Sequence, residues 1–233
     1  LLLRVQAIKT EVEIPLIAEA YRITEEALKA ALEQAGPQSL EWELEAAARS
    51  RMYALGAEGT SYPVWVSSGP NTVHSLRRST DRRIGENELV QLTFGARYRS
   101  FCGNMCRPFA IGRMPPKARR LAEAALEAVH YSLERIAAGV SSREVYVGYY
   151  KLLEKRGLER HTLYGPAHGT GTSEVEGLWL SKSSNFEIKP GMLFNIDIWL
   201  SEDGYGLRYE DGVLVTPTGL RQLTSFRREV IEL

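Results

Sequence analysis

Cysteine is nearly absent: Cys102 and Cys106 are the only two among 233 residues. Two cannot build a disulfide framework and their spacing matches no common zinc or thiol-redox motif, so a reducing, cytoplasmic setting is expected. Long apolar runs are missing as well. No stretch approaches the roughly 18 consecutive apolar residues of a membrane-spanning helix, and the opening Leu-Leu-Leu-Arg-Val is too short for a secretory signal. Neither charge is in excess: Lys plus Arg and Asp plus Glu each number 29, for a formal net charge of zero. Without a basic surplus there is no general attraction to nucleic acid or anionic lipid, and neither is expected as a partner. The chain starts at Leu1 rather than Met and enters a helical pattern at once, so a domain cut from a longer protein is expected.

What is present is ordinary for a globular protein, with 44% hydrophobic and 25% charged residues. Apolar residues recur at helical spacing over residues 7–34 (Ile8, Val12, Ile17, Tyr21, Ala27, Ala31), with an internal restart expected at Thr24 and a stop at Gly36-Pro37. Ser39 is placed to cap a second helix ending at Gly56. Residues 62–67 read as a strand, and the turn cluster after it delivers His74. Residues 89–93 and 97–106 read as a hairpin with a tight turn at Gly95-Ala96, and alternation puts Cys102, Asn104 and Cys106 on one face. Pro115-Pro116 opens a long helix over 117–138, and Ser141-Ser142-Arg143-Glu144 reads as a capping box for another, running to Gly157. A Gly-rich stretch around His168 then precedes two strands at 192–200 and 207–217.

Six ordered blocks carry a resemblance to the creatinase/aminopeptidase, or pita-bread, superfamily. They are Arg4 and Lys9 with Glu11 and Glu13; Ser68-Gly69-Pro70-Asn71 with His74; the hairpin from Glu88 to Pro108; Ala167-His168-Gly169-Thr170-Gly171; and two strand motifs, Ile188-Lys189-Pro190-Gly191-Met192 through Asp197 and Arg208-Tyr209-Glu210-Asp211. The resemblance covers nearly the whole chain. It implies an α/β (α+β) pita-bread fold, a curved antiparallel sheet with paired helices outside and a pseudo-two-fold repeat, spanning residues 1–233 as one catalytic-type domain. It also implies a homodimer, with an N-terminal domain preceding this one in the parent protein.

In the metal-dependent relatives two divalent ions are held by Asp, Asp, His, Glu and Glu, because hard cations want anionic oxygens and an imidazole. Carried over by position, these become Thr93, Asn104, His168, Asp197 and Glu210. The hairpin keeps the family frame and loses both of its acids. A tight dinuclear centre is therefore not expected; a single weakly bound divalent ion, if one binds, would sit on His168, Asp197 and Glu210. Creatinase offers a second template, since its hairpin also lacks both acids and it cleaves a C–N bond without metal. The match falters where its hairpin glutamate falls on Cys106 and its carboxylate-binding arginine falls on Trp179, which excludes creatine itself.

The expected pocket has His74, His168, Asp197 and Glu210 as catalytic residues, with His74 or His168 as general acid/base. Thr93, Asn104, Cys106 and Arg208 are its expected substrate-binding residues. For the histidines, His130 and His161 read as surface residues, and Cys106, beside Arg107, is the thiol that merits a nucleophile test. The leading expectation is a hydrolase of a small amide or amidino C–N bond in a small molecule or short peptide, needing no tightly bound metal. The alternatives are a non-catalytic binding domain and a mononuclear metal-dependent Xaa-Pro peptidase.

Overall fold

The computed structural model describes residues 5–233; Arg4, part of the first family-like block, lies outside them. Helices α1 (Glu13–Gln34) and α2 (Glu41–Ala54) come first, then strands β1 (Gly59–Thr60) and β2 (Trp65–Ser68), a 3-10 turn (Gly69–Val73), and the hairpin β3 (Glu88–Tyr98) and β4 (Phe101–Ile111). The second half repeats this plan with α3 (Pro116–Arg135), α4 (Ser142–Lys155), β5 (Ala167–Gly169), β6 (Glu176–Trp179) and the hairpin β7 (Leu193–Glu202) and β8 (Tyr205–Thr216). Short strands β9 (Gly219–Gln222) and β10 (Ile231–Glu232) close the chain. The main path of the sheet runs β1-β3-β4-β8-β7-β5-β6, with β2 on β3, β9 on β8 and β10 on β4; all of these pairs are antiparallel except the last.

Period-two alternation sorts the long strands into two faces. Leu92, Phe94 and Met105 pack in a core with Ile17, Tyr21 and Leu28 of α1, and Ile196, Ile198 and Tyr209 pack in a second core with Leu121, Ala125 and Val129 of α3. Burying each such large apolar side chain contributes about 1.5–3 kcal/mol. The alternate residues Thr93, Asn104, Cys106, Asp197, Arg208 and Glu210 are left for the other face. One polar pair does sit with the cores: Arg107, fully buried, makes two hydrogen bonds of 2.8 and 2.9 Å to Asp211.

Several local expectations are corrected. The hairpin turns at Arg99-Ser100, not at Gly95-Ala96; both turn residues have positive φ (47° and 69°), as a two-residue hairpin loop requires. Ser100 N–H donates to Glu58 Oε1 at 2.6 Å, and Arg97 reaches the Ser100 carbonyl, which hold two residues without glycine's freedom in that conformation. Gly95 instead pairs with Asn104 inside the ladder, where a Cβ would collide with Ser61 Oγ and the Asn104 side chain. Helix α1 runs unbroken through Thr24, whose hydroxyl bonds back to Ala20 O (2.9 Å), reaches Gly103 O (2.7 Å) and accepts from Ala96 N–H (2.8 Å). Thr24 ties the helix to the sheet and restarts nothing. Ser39 does not cap α2; the helix opens at Leu40, whose N–H donates to Glu43. Ser141 likewise makes no side-chain cap, and Ser142 Oγ accepts from Phe186 N–H instead.

Candidate active site

The register of the central strands builds one row across the polar face. Thr93 pairs with Cys106, Cys106 with Glu210, and Glu210 with Asp197, so four side chains from β3, β4, β8 and β7 stand side by side. His168 on β5 pairs with Asn195 of β7 on one side and with Trp179 of β6 on the other. Its ring tilts against the Trp179 ring with centroids 5.0 Å apart. Glycine at 169 permits the close approach of this segment to β6, because a Cβ there would meet Glu176 O at 2.7 Å.

Both acids are held by donors from remote parts of the chain. Glu210 accepts from Asn195 Nδ2 on one oxygen and from Tyr62 Oη (3.0 Å) on the other, and Tyr21 Oη of α1 in turn donates to Asn195 Oδ1 (2.7 Å). Asp197 Oδ1 accepts from Tyr164 Oη (3.1 Å), which itself accepts from Arg208 Nη2 (2.7 Å). Arg208 Nε lies 3.2 Å from the same oxygen without hydrogen-bond alignment. Burial, reinforced by the Asp197 charge, pushes Glu210 well above the usual carboxylate range, with Arg208 opposing. Burial also works against the charge on Arg208, but Asp197, Tyr164 and Glu210 keep it firmly protonated. A third acid, Glu174, is raised by burial and by Asp197, while His168 and Arg208 hold it down.

His168 Nδ1 lies 3.0 Å from Gly169 O, and a carbonyl only accepts, so Nδ1 carries a proton and Nε2 is the ring nitrogen turned toward the acids. Nε2 is fully buried with no hydrogen-bond partner, 3.8 Å from Asp197 Oδ2 and 4.0 Å from Glu210 Oε1. A ring nitrogen facing two carboxyl oxygens calls for a proton, a substrate N–H or a cation between them. Donor atoms of His168, Asp197 and Glu210 all lie within 4.8 Å of one another, which suits a single cation. Among the described residues no second group of three or more His, Cys, Asp or Glu donors stands this close together. Thr93 Oγ1 is 2.7 Å from Cys106 Sγ, and Asn104 Oδ1 accepts from Ser61 Oγ at 2.7 Å.

His168, Asp197, Glu210 and Arg208 thus come together in the expected pocket. Thr93 and Cys106 adjoin it in the same row, bonded to each other, and Asn104 stands next to Thr170 and the Glu174 carbonyl. Burial pushes the Cys106 thiol far up, which leaves it a poor nucleophile. His74 is exposed at the end of the 3-10 turn, and among the described residues its ring has no hydrogen-bond or ionic partner. Tyr62, Tyr164, Asn195, Tyr21 and Glu174 escaped the sequence reading. Only Asn195 carried a signal, by its even spacing from Asp197 on one strand; the three tyrosines bond to β7 and β8 across 33 to 174 residues of chain.

The chain matches metallopeptidase family M24 over residues 15–217. It is 28% identical to a Xaa-Pro dipeptidase of Pyrococcus furiosus over 226 residues, covering 96% of this chain and 65% of that protein. An uncharacterized peptidase of Bacillus subtilis is 26% identical over 230 residues, 98% of this chain and 65% of the relative. The solved Xaa-Pro dipeptidase from Bacillus anthracis superposes with a TM-score of 0.95 at 27% identity, covering 100% of this chain and 66% of that one. This chain spans 65% of the length of those two curated relatives. Among the described residues no helix is long and apolar enough to cross a membrane. With a ten-stranded, largely antiparallel sheet, two repeated helix-pair-and-hairpin halves and a His-Asp-Glu cluster at their junction, the chain belongs to metallopeptidase family M24 and has its pita-bread fold.

Proposed function

We propose that residues 1–233 form the catalytic-type domain of a peptidase-like hydrolase that cleaves the amide C–N bond of a short peptide. The reaction is placed at the gap between His168, Asp197 and Glu210, with at most one weakly held divalent ion rather than a pair. The observation that carries this reading is the buried, unpartnered Nε2 of His168 facing two carboxyl groups. Relatives named Xaa-Pro dipeptidase support the substrate class.

A divalent ion on these three side chains would polarise the substrate carbonyl and supply an acidic water. The chain's own residues do the rest. The Nδ1 contact to Gly169 O keeps Nε2 aimed inward; Asn195 and Tyr62 orient Glu210, and Tyr164 and Arg208 orient Asp197. In the ion-free site the same oxygens receive an N–H or ammonium group of the substrate, and His168 Nε2 accepts the proton released as water attacks the carbonyl carbon and returns it to the leaving amine nitrogen as the C–N bond breaks. A non-catalytic binding domain is the second reading. It is favoured by the side chains of Thr93 and Asn104, already occupied by Cys106 and Ser61.

The test is turnover of dipeptides, Xaa-Pro dipeptides and amidino acids by protein stripped with chelator, then reloaded with Mn, Co or Zn. Hydrolysis is expected, falling by about 100-fold or more in His168→Ala. Absence of turnover under every condition, or full turnover in His168→Ala, overturns the proposal. Activity that survives stripping assigns the proton transfer to His168 without an ion.

A further inference from the structure

Outside the acid cluster, a groove of about 1200 Å³ lies between α4 and the loops before β5 and after β6. Its walls are mainly apolar and aromatic: Tyr146, Tyr150, Leu163, Tyr164, Trp179 and Phe186 line it. Leu163 is 62% exposed. Tyr146 and Tyr150 stack at 6.1 Å between centroids on successive turns of α4, so that wall is a continuous aromatic surface.

Two of the groove's residues, Tyr164 and Trp179, adjoin the candidate active site. The Tyr164 and Trp179 rings lie 5.7 Å apart. Behind them, Tyr164 Oη donates to Asp197 Oδ1, and the Trp179 ring packs on His168. A substrate whose scissile carbonyl sits at His168 therefore has the Trp179 and Tyr164 faces beside it, and the α4 tyrosines beyond. The Arg208 guanidinium stands over the Tyr164 ring, 5.9 Å from its centroid, but is engaged by Tyr164 Oη and the Asp197 carboxylate, and Lys182 lines the groove farther out. Trp179 occupies the neighbouring-strand position opposite His168, and its indole offers an apolar face and a π-surface where a carboxylate would need a donor.

We propose that this groove is the specificity pocket of the chain, taking an aromatic or bulky aliphatic side chain of the substrate residue that flanks the scissile bond. The proposal rests on the hydrolase reading for the position of that bond, and on the groove itself for the side chain. Peptides with only small side chains leave the aromatic walls wet; a phenylalanine buries its ring against them, a difference of about tenfold in affinity.

Binding of Ala-Ala, Phe-Ala and Ala-Phe to the intact chain, followed by tryptophan fluorescence and calorimetry, tests this without requiring turnover. Tyr150→Ala and Phe186→Ala, both half-buried residues at a distance from the acids, are measured beside the wild type with thermal melts as folding controls. One of the phenylalanyl peptides is expected to bind about tenfold more tightly than Ala-Ala, and the gap to close to within about threefold in either variant. Equal affinity for all three, no binding of any, or a gap that persists in both folded variants overturns the pocket. A variant that dissociates an oligomer while peptide selectivity stays intact assigns the groove to a second copy and overturns it too. Selective binding without hydrolysis leaves the pocket standing while the hydrolase reading falls; hydrolysis without selectivity does the reverse.

Discussion

The Arg107–Asp211 pair is the sharpest test of how the central strands are held. Both side chains are essentially without exposure, at 0% and 1%. Asp211 also accepts from Thr224 Oγ1 (2.6 Å) and Arg228 Nε (2.8 Å), while Arg107 Nη1 donates to the carbonyls of Cys106 (2.9 Å) and Glu210 (3.0 Å). Those two carbonyls belong to the one register pair that joins β4 to β8, so Arg107 clamps the junction of the two halves. Asp211→Ala leaves the guanidinium buried, with only neutral acceptors. Breaking a buried pair in this way costs about 3–5 kcal/mol. For a chain of this size that is a fall in thermal midpoint of about 6–20 °C, or a drop in urea midpoint of about 1–2 M. Equilibrium urea unfolding of wild type, Asp211→Ala, Arg107→Ala and the double variant gives both the loss and the coupling, expected near the upper end of the usual range, about 2–3 kcal/mol. A loss below about 1 kcal/mol for Asp211→Ala, or an additive cycle, would refute the clamp.

Other outcomes follow from the same geometry. Chelator-stripped protein titrated with Mn, Co or Zn to about 100 times the dissociation constant gains about 2.7 kcal/mol, read as a rise of about 5–11 °C in a thermal scan; an equal rise in His168→Ala would show that the ion binds elsewhere. Glu210 is raised in the folded state, so its contribution to stability is full below the unfolded carboxylate pKa and is lost as pH rises through the folded value. Stripped wild type should therefore lose stability over that interval, and Glu210→Gln should flatten the slope in urea unfolding followed at several pH values. The thiols, Cys102 pushed by burial to about 11 and Cys106 higher, should not react with an aromatic disulfide reagent at pH 8 until the protein is unfolded; rapid modification of the native protein would contradict their burial. Gly103→Ala drives a Cβ into the backbone of Ala20 and Tyr21 in α1 and should cost about 1–3 kcal/mol in the same denaturation assay; a neutral variant would mean that α1 is free to shift.

Much of the fold was legible because its signals are local or periodic. Helical spacing located α2 to α4 within a few residues and the end of α1, which starts at Glu13 and not at residue 7; alternation located the hairpin β3–β4, and the ordered motifs around His168, Asp197 and Glu210 marked the family. The misreadings share a cause. Gly95 carries the local signature of a turn, but its missing side chain serves a close contact with Ser61 and Asn104 across the ladder, and the turn falls on Arg99-Ser100 because Glu58 and Arg97 hold it there. Thr24 and Ser39 look like helix caps from their neighbours, yet Thr24 is bonded to a strand 79 residues away and the chain opens α2 one residue beyond Ser39.

By itself the sequence determined which side chains alternate along the strands: Cys102, Asn104 and Cys106 were placed on one face of the hairpin, and Asp197 and Glu210 within strands. Only the tertiary structure decided how those side chains are used. It set Tyr62 and Asn195 on Glu210, Tyr164 and Arg208 on Asp197, and left His168 Nε2 facing both acids without a partner. It also took His74 out to solvent and ran an aromatic groove up to Trp179. The physical reason is range. Backbone periodicity acts over a few residues, whereas hydrogen bonds and burial act between whatever groups the folded chain brings within 3 to 4 Å.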